Sequence, residues 1–171
     1  MKFAVNDSVL YGAEGVCRIA EISEQDFMGT RAQYFVLKPV YSAGSTIFVP
    51  VENEALVGKM RRILSPEEIR SLIKTMPDKA LLWIDDDNAR RAHYHEIIQN
   101  GDRAQLVGLI KALYTRRETQ QAKGRKLHTA DERYLHDAEK ILYDEFAHVL
   151  QIKRDEVLPF IMEQIQISER T

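Results

Sequence analysis

The sequence predicts an α+β protein of two domains, a small curved antiparallel sheet or barrel followed by an all-helical bundle of about five helices. Three observations carry this. The first third holds short β-branched and aromatic runs bounded by glycine. Beyond Ser65 the apolar residues recur at spacings of three and four instead. The change falls at Ser65-Pro66-Glu67-Glu68, which reads as a capped helix start. The boundaries are therefore placed at about 1–63 for the β domain and 65–171 for the helical domain.

Taken in order, the strand candidates are Asp7–Tyr11, Val16–Ile19, Gln33–Val40 and Thr46–Pro50, with turns at Gly12, Gly29 and Ser42–Ser45. Pro39 and Pro50 cannot donate to a ladder, so they belong at strand ends or edges. The first helix carries Ile69, Leu72, Ile73 and Met76 on one face and stops at Pro77. A second starts within Asp85-Asp86-Asp87 and ends at Asn100-Gly101, with Tyr94, Ile97 and Ile98 inward. A third runs from about Asp102 into Arg116-Arg117 on Leu106, Leu109, Ile110, Leu113 and Tyr114. After a polar, basic connection over 120–126, Thr129-Ala130-Asp131-Glu132 reads as a second capping box. It opens a long helix bearing Leu135, Ala138, Ile141, Leu142, Phe146 and Val149. A last helix carries Leu158, Ile161, Met162 and Ile165, with Pro159 tolerable only near its beginning. Each helix has one apolar stripe, so the helices must pack together.

Of the 171 residues 44% are hydrophobic and 29% charged, the balance of a globular chain. No apolar run approaches the roughly 20 residues that span a bilayer. The start meets polar Asn6-Asp7 too soon for a signal peptide, so a cytoplasmic location with no membrane contact is expected. Cys17 is the only cysteine, which excludes an intrachain disulfide and reads as a small core side chain. A net charge of −2 and a pI near 6.2 argue against coating nucleic acid by bulk charge. Any DNA contact must come from a local patch or be assisted by a partner.

No catalytic, cofactor or metal set emerges. His93 and His95 lie about 200° apart around a helix and cannot share a metal, and His128 and His136 make only half a site. Asp85-Asp86-Asp87 invites a magnesium reading, but acidic residues at a helix start are ordinary. There is no phosphate-cradling glycine loop and no nucleophile elbow. Trp83, the only tryptophan, is either a core anchor or a partly exposed wedge against a base step. Arg90 and Arg91 are either solvated and paired with Asp86 or Asp87, or contact phosphates. Lys111, Arg116, Arg117, Lys123, Arg125 and Lys126 form the best basic stretch.

The order of features resembles one family. Asn6–Tyr11, Gly15-Val16, Tyr34–Leu37 and Phe48–Asn53 are similar to the polymerase-interacting module of the CarD family, which is Tudor-like. Arg90-Arg91, Gly101-Asp102, Leu113–Arg117, Leu127–Leu135 and Ala138 follow that family's helical half, so the resemblance covers nearly the whole chain. It implies a transcription regulator that docks by a sheet edge on the RNA polymerase β subunit. The helical domain would then reach promoter DNA at the upstream edge of the bubble and favour the open complex, without reading sequence. It would act as a monomer, associated with the nucleoid through polymerase.

The resemblance turns Gln25, Thr46 and Phe48 toward polymerase, and Trp83, Arg90, Arg91, Arg125 and Lys126 toward DNA. The chain departs from the family in three places. Asp87 aligns where a tryptophan is often found, with Trp83 one turn upstream. Glu132 aligns where a basic side chain is usual at the start of the long helix. Gln25 and Phe48 align with positions often basic, which makes the expected polymerase contact more apolar, with Phe48 exposed. The alternative is a polymerase-docked adaptor whose helical domain binds another protein.

Overall fold

A computed structural model describes residues 2–78 and 83–170. The N-terminal part is an antiparallel sheet of five strands in the order β4-β3-β2-β1-β5, formed by β1 Ser8–Tyr11, β2 Val16–Phe27, β3 Thr30–Pro39, β4 Ile47–Pro50 and β5 Met60–Arg62. The sheet is open, so the barrel alternative is corrected: β4 and β5 stand at its two ends and do not pair. Pro39 and Pro50 are the last residues of β3 and β4, where a missing N–H costs no ladder bond. A single turn, α1 Glu54–Val57, capped by Asn53, leads into β5.

β2 is eight residues longer than the apolar pattern suggested, and with β3 it makes a long hairpin. Its turn is Met28-Gly29, with φ of 54° and 85°, the two left-handed residues of a hairpin turn that matches strand twist. Gly29 N–H donates to Asp26 Oδ1 at 3.0 Å and closes the corner.

Five helices follow: α2 Pro66–Thr75, α3 Asp87–Asn100, α4 Arg103–Ala122, α5 Thr129–Leu150 and α6 Val157–Arg170. The Ser65–Glu68 capping box forms, with Pro66 in the first turn. Asp86 and Asp102 cap α3 and α4, and Gly101 between them takes a left-handed φ of 75°. The second capping box does not form: His128 is the cap residue of α5, and Thr129 is already helical. α4 also outruns its expected end and takes in the first three residues of the connection assigned to 120–126. None of the described helices is long and apolar enough to cross a membrane.

The cross-strand register explains how the two parts join. Val9 pairs with Cys17 and Leu10 with Val16, so alternate pairs face opposite sides of the sheet. Val9 and Cys17 join Phe3, Ile19, Phe35, Leu37, Val49 and Met60 in the sheet's own core. Leu10 and Val16 turn the other way, into the helical core around Ile69, Ile97, Leu109 and Phe146. β1 is thus buried on both faces, and the bundle closes over the β1–β5 end of the sheet. Gly12, at φ 49°, lies so near the end of α3 that a Cβ there would fall 2.9 Å from the Gln99 carbonyl oxygen.

Candidate functional site

The first turn of α3 places Arg90 against the first turn of α5. Its side chain is 1% exposed, although its position beside Arg91 reads as surface. Nε and Nη2 fork onto the two oxygens of buried Asp131 at 3.2 and 3.0 Å. Nη2 also meets Asp87 Oδ1 at 2.9 Å, and Nη1 donates to the Ile84 carbonyl at 3.0 Å. Burial works against its charge, but the hydrogen bonds it donates to Asp131 and Asp87, with their negative charge, outweigh that and raise its pKa. The bond from Arg90 in turn lowers the pKa of Asp87. Arg90 therefore has no free face for a phosphate. Its assignment as a DNA contact is corrected: it is an internal tie that fixes where α3, α5 and the 84–86 approach meet.

Trp83 packs on the helical core and is half-buried. The guanidinium carbons of Arg90 and Arg116 lie over its ring, 4.5 and 4.7 Å from the centroid. Its body is thus anchored, and Arg116, just beyond the apolar stripe of α4, is its cationic neighbour. Arg91 is half-buried, and its Nε has no hydrogen-bond partner.

Arg117 stacks at 4.7 Å over Tyr114 and lies 3.7 Å from Glu132. Arg125 and Lys126 are exposed on the short link to α5. That link is ordered by Arg125 N–H donating to the Gln120 carbonyl at 2.8 Å, by Gly124 at φ 70°, and by buried Leu127. The contacts Arg90–Asp131, Arg117–Glu132 and Trp83–Arg116 gather the start of α3, the end of α4 and the start of α5 at one end of the bundle. The carboxylates of Asp87 and Glu132 are engaged by Arg90 and Arg117.

A different chemistry occupies the face of the sheet that points away from its core. Register puts Ser23, Gln25 and Phe27 of β2, Tyr34 of β3 and Phe48 of β4 on this face. Phe27, Tyr34 and Phe48 meet edge to face, with centroids 5.1, 5.1 and 6.3 Å apart. Phe27 is 42% exposed and Phe48 39%, and Met28 at the hairpin tip is fully exposed. Gln25 is half-buried and donates to Ser23 Oγ at 2.8 Å, while Thr46 is exposed just before β4. The rings sit next to the free edge of β4. The other end strand, β5, is tied to the bundle by Arg61 on Asn100 and by Arg103 on the Arg62 carbonyl. Sequence reasoning found Phe48 but missed Phe27, Tyr34 and Met28. The signal available was one aromatic on each side of Gly29, Phe27 and Tyr34, which a two-residue turn at Met28-Gly29 puts on one face.

Two family models match. Residues 3–64 match the CarD-like/TRCF RID domain, and residues 72–162 match the CarD C-terminal domain. The chain belongs to the CarD family. No curated protein matches it. The N-terminal match makes this a chain with an RNA polymerase-interacting domain, and the pair of domains makes it a CarD-like transcription factor.

Proposed function

We propose that this CarD-like protein docks on the β subunit of RNA polymerase through the β4 edge and the Phe27–Tyr34–Phe48 face. It then sets the basic end of its bundle against promoter DNA and favours the open complex. The observation that carries the reading is the pairing of the two surfaces. An end strand beside exposed rings suits strand addition to a partner. A bundle end with Trp83, Arg91, Arg116, Arg125 and Lys126 suits a backbone that carries negative charge. Contact there is sequence-nonspecific, because these cations position phosphates, which carry no sequence information. Trp83 works from a seated position, held by its arginine neighbours and presenting only its uncovered part. The protein acts as a cytoplasmic monomer, bound to the nucleoid through polymerase.

An open complex is favoured only by tighter binding to the open than to the closed state; a difference of about 1.4 kcal/mol shifts that equilibrium roughly tenfold, and lengthens the open complex's life by the part of it that the transition state for closing does not share. The test is open-complex lifetime on several promoters with saturating full-length protein. Lengthening that Arg125→Ala/Lys126→Ala reduces supports the reading. Unchanged lifetimes on all promoters overturn it.

A second reading, the polymerase-docked adaptor, is favoured by one feature of the bundle. A groove of about 420 Å³ between α4, α5 and α6 is lined by Tyr114, Tyr143, Ile161, Met162 and Ile165, with Met162 51% exposed. Such a surface suits an apolar partner, not DNA. The adaptor reading predicts that Met162→Asp removes the transcriptional effect while Arg125→Ala/Lys126→Ala leaves it intact.

A further inference from the structure

Glu145, in the C-terminal half of α5, is fully buried and tied directly to two other segments, at Arg103 and at Leu64. Its Oε1 accepts from Arg103 Nε at 2.9 Å and its Oε2 from Arg103 Nη2 at 2.6 Å. Oε2 also accepts the backbone N–H of Leu64 at 3.0 Å, and Arg103 Nη2 donates to the Arg62 carbonyl at 2.7 Å. Leu64 and Arg62 bracket the passage from the last strand to α2, where the chain leaves the sheet and its polar groups lose their ladder partners. One carboxylate and one guanidinium satisfy both of those groups and each other.

Stability alone does not call for this arrangement, since well-packed apolar residues commonly replace a buried ion pair without loss. Directional bonds add something that apolar packing lacks, a single preferred angle between the elements they join. The same junction has three further fixed points. Arg61 Nε and Nη2 donate to the carbonyl and side-chain oxygens of Asn100 at 2.7 and 2.9 Å. Ser8 Oγ and His148 Nε2 lie 3.0 Å apart. Gly12 meets the Gln99 carbonyl so closely that only glycine fits.

We propose that Glu145, through Arg103, is a positioning residue that fixes the angle between sheet and bundle, and so sets where the basic end lies once the sheet is docked. The functional half of this statement rests on the polymerase and DNA reading above. The angle itself can be measured without either partner.

The experiment places spin labels on the full chain at Lys38→Cys in β3 and Thr119→Cys in α4, both exposed. Cys17 stays unlabelled because it is buried. The expected result is one narrow distance peak that broadens or splits in Glu145→Gln and in the charge-free pair Glu145→Leu/Arg103→Met, with helical content retained. The same variants should keep polymerase affinity and lose the effect on open-complex lifetime, a split that a merely destabilised fold does not give. An unchanged narrow peak in a folded charge-free pair overturns the proposal. Loss of helical content in both variants overturns it as well, because the clamp would then serve folding and not orientation. If the unaltered chain fails to bind polymerase, the functional reading falls while the distance result stands.

Discussion

The outer face of the sheet and the basic end of the bundle use their conspicuous side chains in opposite ways. On the sheet, Phe27 and Phe48 are left partly in water, and little in the fold explains their exposure. At the bundle end, two arginines that looked available are spent on the fold: Arg90 on Asp131 and Asp87, Arg117 on Glu132 and Tyr114. Exposed apolar groups are therefore the better sign of a contact here, and arginine number overstates the charge that DNA would meet. What is left for phosphate is Lys123, Arg125 and Lys126 on a short ordered link, with the half-buried Arg116 and Arg91.

The sharpest way to break this contrast is to truncate one arginine of each kind. Arg90→Ala strands Asp131 in the interior and should cost about 3–5 kcal/mol of stability, as removal of one partner of a buried pair does. Arg125→Ala should change stability by no more than about 0.5 kcal/mol. Chemical denaturation of the two variants compares them directly. Equal, small losses would mean that Arg90 is not the tie its geometry describes.

On the sheet, Phe48→Asp should reduce polymerase affinity roughly 30-fold, about 2 kcal/mol, the scale of an aromatic hot spot. The melting curve should stay close to that of the unaltered chain, since the ring sits on the outer face. Affinity unchanged in a folded Phe48→Asp variant would move the dock away from the β4 edge. At the bundle end, Arg125→Ala/Lys126→Ala should flatten the salt dependence of DNA association by about 2 in log–log slope, one per lost phosphate contact. A slope that does not move favours the adaptor reading.

Much of the architecture was legible because it follows from periodicity. The two patterns, their junction at Ser65 and all five bundle helices could be read from apolar spacing and caps. β5 could not, because Met60-Arg61-Arg62 has one apolar residue and takes its place by pairing with β1 across some fifty residues. The far half of β2 was hidden too: Glu21, Glu24 and Asp26 interrupt the alternation, and only the register with β3 makes them strand. Arg90 shows the limit for the site. Its partner Asp131 is 41 positions away, so nothing local separates a buried arginine from a solvated one. The Thr129 capping box failed for a smaller reason: the helix begins one residue earlier than the motif implies, which turns a cap into a first-turn residue.

The smallest expected effect bears on the same contrast. Met28 holds a left-handed φ of 54° at the hairpin tip and is fully exposed. A left-handed conformation costs an ordinary side chain on the order of 1 kcal/mol, and asparagine is the relaxed choice before glycine in this turn. Met28→Asn should therefore stabilise the chain by about 0.5–1 kcal/mol, or a rise of roughly 1–4 °C in melting temperature for a chain of this size. If the sheet's exposed apolar groups form the dock, the same change should weaken polymerase binding, because the methionine continues the surface that Phe27 begins. Stability and affinity would then move in opposite directions on one substitution. A stabilised variant that binds polymerase unchanged would end the contact surface at the three rings and leave the tip outside it.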